Sequence, residues 1–129
     1  MVNEILINLN KDQDIIKARE LGRELAKQAG FSEMEQMRTV TAISELAHSM
    51  HEYTVEAVFS VKMMKEKGKR GLKIKIKEQG TVDSEPKLDS TSLVNSENNG
   101  IFNVKQLVDE FIIQVDHDRR TSIEFIKWG

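Results

Sequence analysis

The hydrophobic pattern divides the chain into helical and extended stretches. Val2, Ile5, Leu6, Ile7 and Leu9 predict a short strand over 2–9, although the alternation is imperfect. Ile15, Ala18, Leu21, Leu25 and Ala29 recur at steps of three and four and predict an amphipathic helix. Asn10 is its expected cap, with Gln13 as capping-box partner, and Gly30 its expected left-handed terminator. Ser32 and Glu35 form a Ser-x-x-Glu capping box for a longer helix over about 33–52. On that helix Met34, Met37, Val40, Ile43, Ala47 and Met50 share one face, the expected buried one. Arg38, Ala42, Glu45 and Ser49 fall opposite and are expected to point away from the core.

Val55, Ala57, Phe59, Val61 and Met63 alternate with polar residues, as do Leu72, Ile74 and Ile76 with Lys73, Lys75 and Lys77. They predict two strands joined by a hairpin loop over 65–70 that carries Gly68. Ile101, Val104, Leu107, Val108 and Phe111 predict a short helix capped by Asn98 or Asn99. Phe111–Val115 and Thr121–Trp128 predict a last hairpin around residues 116–120. Between these elements, 81–99 is rich in Ser, Thr, Asp, Glu and Asn and holds the only proline, Pro86. A loop this long in a compact domain is usually functional or disordered. The order strand, two helices, hairpin, helix, hairpin predicts one α+β domain over 1–129. It is a two-layer sandwich with helices on one face of a mixed, mostly antiparallel sheet.

Composition narrows the chemistry. With 129 residues, 39% apolar and 31% charged, the chain is ordinary for a soluble domain with a real core. Its net charge of −2 gives no global pull toward nucleic acid or an acidic membrane. Seven cations between Lys65 and Lys77 form one basic cluster. A charged strand edge that resists aggregation is its plainer reading; an acidic protein partner is the sharper one. The cluster has no aromatic residue for base stacking, which argues against nucleic acid. The absence of cysteine excludes disulfides, thiol catalysis and thiolate zinc sites and fits a reducing compartment. No stretch approaches the roughly 20 apolar residues of a membrane span, and no cationic leader opens the chain. The expected location is the cytoplasm. His48 and His51 lie at i, i+3, but His117 is distant, so they read as surface residues rather than a metal site. Ser44, Glu45 and His48 make no triad, because consecutive helical residues cannot face one another.

From spacing alone, Glu45 and Ser49 are a carboxylate and a hydroxyl one turn apart on a solvated helix face. The segment around them changes that reading. Ala42-Ile43-Ser44-Glu45-Leu46-Ala47 resembles the N-box of the GHKL (HATPase_c-like) ATPase superfamily. The chain is similar in particular to the small anti-sigma-factor and switch serine kinases of bacterial stress signalling. Asp14–Arg23, Gly30-Phe31-Ser32, Arg70–Ile74, Glu78-Gln79-Gly80, Val104–Phe111 and Lys127-Trp128 fall in the family's order, so the resemblance covers most of the chain. It implies the Bergerat fold, and it makes 81–99 the region of the ATP lid.

The resemblance also assigns roles. Glu45 matches the family glutamate that polarises the attacking group, a general-base role if the protein is active. Ser49 stands where a metal-binding asparagine is expected; it would ligate Mg²⁺ only in an active enzyme. Glu78 stands at the adenine-reading aspartate, and its extra methylene pushes the carboxylate about 1.5 Å farther into the base pocket. Gly80 fits the first glycine of that box, but Thr81-Val82-Asp83 follows where similar kinases have Pro-Gly-Ile. Gly100 is what remains of the glycine-rich phosphate segment, and Phe102-Asn103 replaces a Pro-Gly pair.

Four changes in metal, adenine and phosphate contacts, beside intact caps and apolar stripes, predict a retained fold with a degenerate ATP site. The resulting expectation is a pseudokinase-like interaction module needing no cofactor. Its partners would be a STAS-domain protein, a sigma factor or a phosphatase activator domain, with neither nucleic acid nor membrane involved. The alternative is an active serine protein kinase that uses Mg-ATP to phosphorylate a STAS-domain antagonist. Similar kinases dimerise, which leaves a homodimer open.

Overall fold

The computed structural model describes residues 4–53, 56–79, 100–117 and 120–129. The chain opens with strand β1 (Glu4–Leu9), followed by helices α1 (Asp12–Gln28) and α2 (Glu33–Tyr53). The hairpin β2 (Ala57–Glu66) and β3 (Lys69–Glu78) comes next. Helix α3 (Gly100–Leu107) and the hairpin β4 (Glu110–Val115) and β5 (Thr121–Trp128) are the last described elements. The sheet order is β1-β2-β3-β5-β4, and among the described residues every pairing is antiparallel. This is the expected α+β architecture.

Local chemistry explains the element boundaries. The N-cap of α1 is Lys11 rather than Asn10, because Asp14 and not Gln13 supplies the side chain that closes it. Its carboxylate accepts from the backbone N–H groups of Asn10 and Lys11, both at 3.0 Å. At the other end Gly30 has φ +84°. Its N–H donates to Lys27 O and that of Phe31 to Ala26 O, so α1 closes in a Schellman motif. The Ser32 hydroxyl accepts from the Glu35 N–H at 3.2 Å and caps α2. The capping box is only half made, since the Glu35 side chain pairs with Lys127 on β5.

The β2–β3 loop is tighter than expected. The strands continue to a two-residue turn, Lys67-Gly68, with φ +49° and +81°. Positive φ at both turn residues matches the right-handed twist of the flanking strands.

The helices cover one face of the sheet. Ile15, Ala18 and Leu25 from α1 and Ile43, Leu46 and Met50 from α2 meet Phe59, Val61, Leu72, Ile74, Ile76, Ile123 and Phe125 from the strands. On β3 and β5 this alternation turns Lys73, Lys75, Lys77, Ser122 and Glu124 to the opposite, uncovered face. Lys73 pairs there with Glu124 at 3.1 Å.

Two expectations are corrected. β3 is the central strand and not an edge, so its lysines do not protect a strand edge. On α2, Met34 and Met37 are exposed (63% and 70%), whereas Ala42 is fully buried and Ser49 is 7% exposed. The buried stripe is Thr39, Ala42, Ile43, Leu46, Ala47, Ser49 and Met50. Small residues line it because a helix pressed between a sheet and another helix needs short side chains at the closest approach.

Candidate functional site

Turning the α2 stripe changes the meaning of Glu45 and Ser49. Ser49 is buried and Glu45 half-buried, so neither stands on a solvated face, while His48 between them is exposed. α3 packs against α2. α2 ends at Tyr53 and β2 begins at Ala57, which pairs with Glu78 at the end of β3. The second half of α2 and Glu78 therefore share one end of the covered sheet face. Glu78 has the same strand parity as the buried Ile74 and Ile76, so it too belongs to that face.

Glu78 is half-buried, and its Oε2 accepts a long hydrogen bond of 3.5 Å from the Thr121 N–H. Thr121 is fully buried, and its hydroxyl has no hydrogen-bond partner among the described residues. An orphaned buried hydroxyl costs about 1–3 kcal/mol and marks a seat for a water or a polar ligand atom. Thr121 escaped the sequence reading, which used it only to open the last strand. The available signal was parity: a hydroxyl two residues before Ile123 and four before Phe125 belongs on the buried face.

The remaining candidates divide. Gly100 opens α3, so its backbone stands at the mouth of the helix that packs on α2. Asn103, one turn on, is exposed. Gly80, the expected lid over 81–99 with Pro86, and the caps Asn98 and Asn99 lie outside the described residues. Among the described residues no three His, Asp or Glu side chains gather into a metal site. Glu45 and Ser49 alone offer one carboxylate and one hydroxyl; an octahedral Mg²⁺ would take its other ligands from water and phosphate. Two surface depressions lie elsewhere. One lies at Lys75, Lys77, Gln114, Val115, Asp116 and Ser122, and one at Arg23, Glu33, Gln36, Met37 and Val40. None of the helices among the described residues is long and apolar enough to cross a membrane.

Helices packed over one face of an antiparallel sheet, with a buried hydroxyl and a half-buried carboxylate on α2, have the architecture of a Bergerat-type GHKL sandwich. The comparisons with known proteins narrow this. No family model matches the chain. It is 34% identical over 131 residues to the serine/threonine-protein kinase RsbT of Bacillus subtilis (strain 168), covering 99% of this chain and 98% of that one. The chain belongs to the RsbT family of switch kinases. Its fold matches a chain of the SiaB-SiaC complex from Pseudomonas aeruginosa at a TM-score of 0.63. That match has 12% identity and covers 97% of this chain and 89% of the other.

Proposed function

We propose that this protein is a regulatory interaction module of the RsbT family, impaired in ATP binding, that acts in the cytoplasm by binding a STAS-domain, sigma-factor or phosphatase partner. The observation that carries the reading is Ser49. It is 7% exposed on the inward face of α2, at the N-box position where an asparagine is expected. A serine hydroxyl ends about 1.5 Å, one bond, short of a carboxamide oxygen. A metal held there would shift or bind through water. Glu78 in place of aspartate and Thr81-Val82-Asp83 in place of a Pro-Gly turn weaken the adenine and phosphate sides of the same site. Partner binding draws support from SiaB, whose fold is shared and which is seen in complex with SiaC.

The second reading is an active serine protein kinase. The orphaned Thr121 hydroxyl beside Glu78 favours it, because together they form a polar seat at the end of β3. In that case Glu45 is the general base, Ser49 the Mg²⁺ ligand, and Gly80 and Gly100 the remaining phosphate-side hinges.

Calorimetry with ATP, with and without Mg²⁺, separates the two. The wild type should give no heat at micromolar nucleotide, and the Ser49→Asn, Glu78→Asp double variant should regain Mg²⁺-dependent binding. Micromolar binding by the wild type, lost in Glu45→Ala, would overturn the impaired-site reading. Kinase assays on a STAS-domain substrate would follow.

A further inference from the structure

The β2–β3 hairpin is electrostatically unlike the rest of the molecule. Between Ala57 and Glu78 it carries eight cations against two carboxylates, a net +6, in a chain whose net charge is −2. The remainder is therefore −8. The charge concentrates at the tip, where Lys65, Lys67, Lys69 and Arg70 are all exposed around the Lys67-Gly68 turn.

At the tip Lys65 lies opposite Arg70 and Glu66 opposite Lys69 across the β2–β3 ribbon. The Arg70 carbonyl accepts from the Gly129 N–H at 3.0 Å, so the end of β5 reaches the base of the tip. Lys65 directly opposite Arg70 is a like-charge pair, which costs the fold stability. Folding gains nothing from that arrangement, whereas an anionic surface brought against the tip would relieve it.

Several anions compete for such a ribbon. The −8 remainder disfavours a long polyanion such as duplex DNA, which would extend past the tip along the acidic body. The tip offers one arginine for bidentate phosphate contact and no aromatic side chain for stacking or membrane anchoring. A bounded acidic patch on a protein fits the size and charge of the tip better.

We propose that the tip of the β2–β3 hairpin, centred on Lys65, Lys69 and Arg70, is a docking site for an acidic protein surface. The inference deepens the partner-binding reading by giving the partner's chemistry, and it rests on that reading. β3 runs from this tip to Glu78, so the tip lies at the opposite end of the sheet from the candidate nucleotide site. Docking there is independent of nucleotide. It is also distinct from the exposed cations Arg19, Arg23 and Lys27 on α1, which give a charge-matched control.

The test uses three probes: poly-L-glutamate as the acidic polypeptide, a duplex DNA, and phosphatidylserine vesicles. Each is titrated into the full chain at low and at physiological salt. The proteins are the wild type, a tip variant (Lys65→Gln, Lys69→Gln, Arg70→Gln) and an α1 variant (Arg19→Gln, Arg23→Gln, Lys27→Gln). Circular dichroism checks that both variants fold. A second tip variant, Lys65→Gln with Arg70→Gln, keeps the test open if the triple variant does not. The wild type should bind poly-L-glutamate in a salt-dependent way, and the tip variant should lose about tenfold in affinity while the α1 variant loses little. Equal losses in both variants, a larger loss in the α1 variant, or tighter binding to DNA or vesicles would overturn the proposal. None of these outcomes touches the ATP calorimetry, so failure of the docking site and failure of the impaired-site reading are read separately.

Discussion

Asp14 shows how one residue sets an element's start. Its carboxyl lies below the usual carboxylate range chiefly because the Asn10 N–H donates to it; desolvation, the next-largest influence, opposes this, and the Lys11 N–H and the Lys17 and Lys11 charges reinforce it. A carboxyl whose folded pKa is depressed stabilises the fold above its unfolded value of 3.8, and that contribution is lost as pH falls through the folded pKa. The wild type should therefore exceed Asp14→Asn in stability by a constant margin at neutral pH, and the margin should close on acidification below 3.8. Urea unfolding of both proteins along a pH series measures it. The sequence pointed to Asn10 and Gln13 instead, because either residue pair satisfies the capping-box spacing. Only the observed turn geometry selects Asp14.

The packing of α1 on α2 depends on a position with no side chain. A Cβ added at Gly22 would run into the Ile43 Cδ1 of α2. Ile43 is fully buried, so its terminal methyl has little free space to enter. Alanine improves helix propensity by about 1 kcal/mol, whereas overpacking a core costs about 1–3 kcal/mol. The second term wins: Gly22→Ala should lower unfolding free energy by about 1 kcal/mol, and Gly22→Leu by more, as read from denaturant midpoints. The sequence reading gave Gly22 no role and filled the stripe with Leu21, which is only partly buried. For α2 the error was larger. Hydropathy favoured Met34 and Met37 for the interior, but Thr39, Ala42 and Ser49 hold it because the helix needs short side chains there.

Across the molecule, the two ends of the sheet differ in chemistry. One end holds Glu78 with Thr121 and is the end toward which the second half of α2 runs. The other holds Lys127, 5% exposed, against Glu35 at the start of α2 and Asp109 before β4, with its ammonium donating to Trp128 O at 2.8 Å. Asp109 also accepts from the Trp128 N–H at 2.7 Å. This cluster ties the first turn of α2, the α3–β4 connection and the end of β5. Removing one partner of a buried ion pair costs about 3–5 kcal/mol. Glu35 and Asp109 keep 25% and 46% of their side-chain exposure, so solvent discounts that figure. Lys127→Met should destabilise the fold by about 1–3 kcal/mol in urea unfolding. Unchanged stability would mean that the cluster is solvated enough to contribute nothing.

By itself the sequence determined the order and kind of the elements, the Gly30 terminator, the hairpins and the family. Those follow from periodicity, turn chemistry and motif order, which are local along the chain. Which side of α2 faces inward, that β3 is central, and that Lys127 answers Glu35 were decided only by the tertiary structure. So were the pairing of Glu78 with Thr121 and the placing of Lys65 opposite Arg70 at the hairpin tip. Apart from the hairpin tip, each depends on the distance between segments far apart in sequence, and the apolar pattern of one helix or strand carries no information about how closely another will approach it.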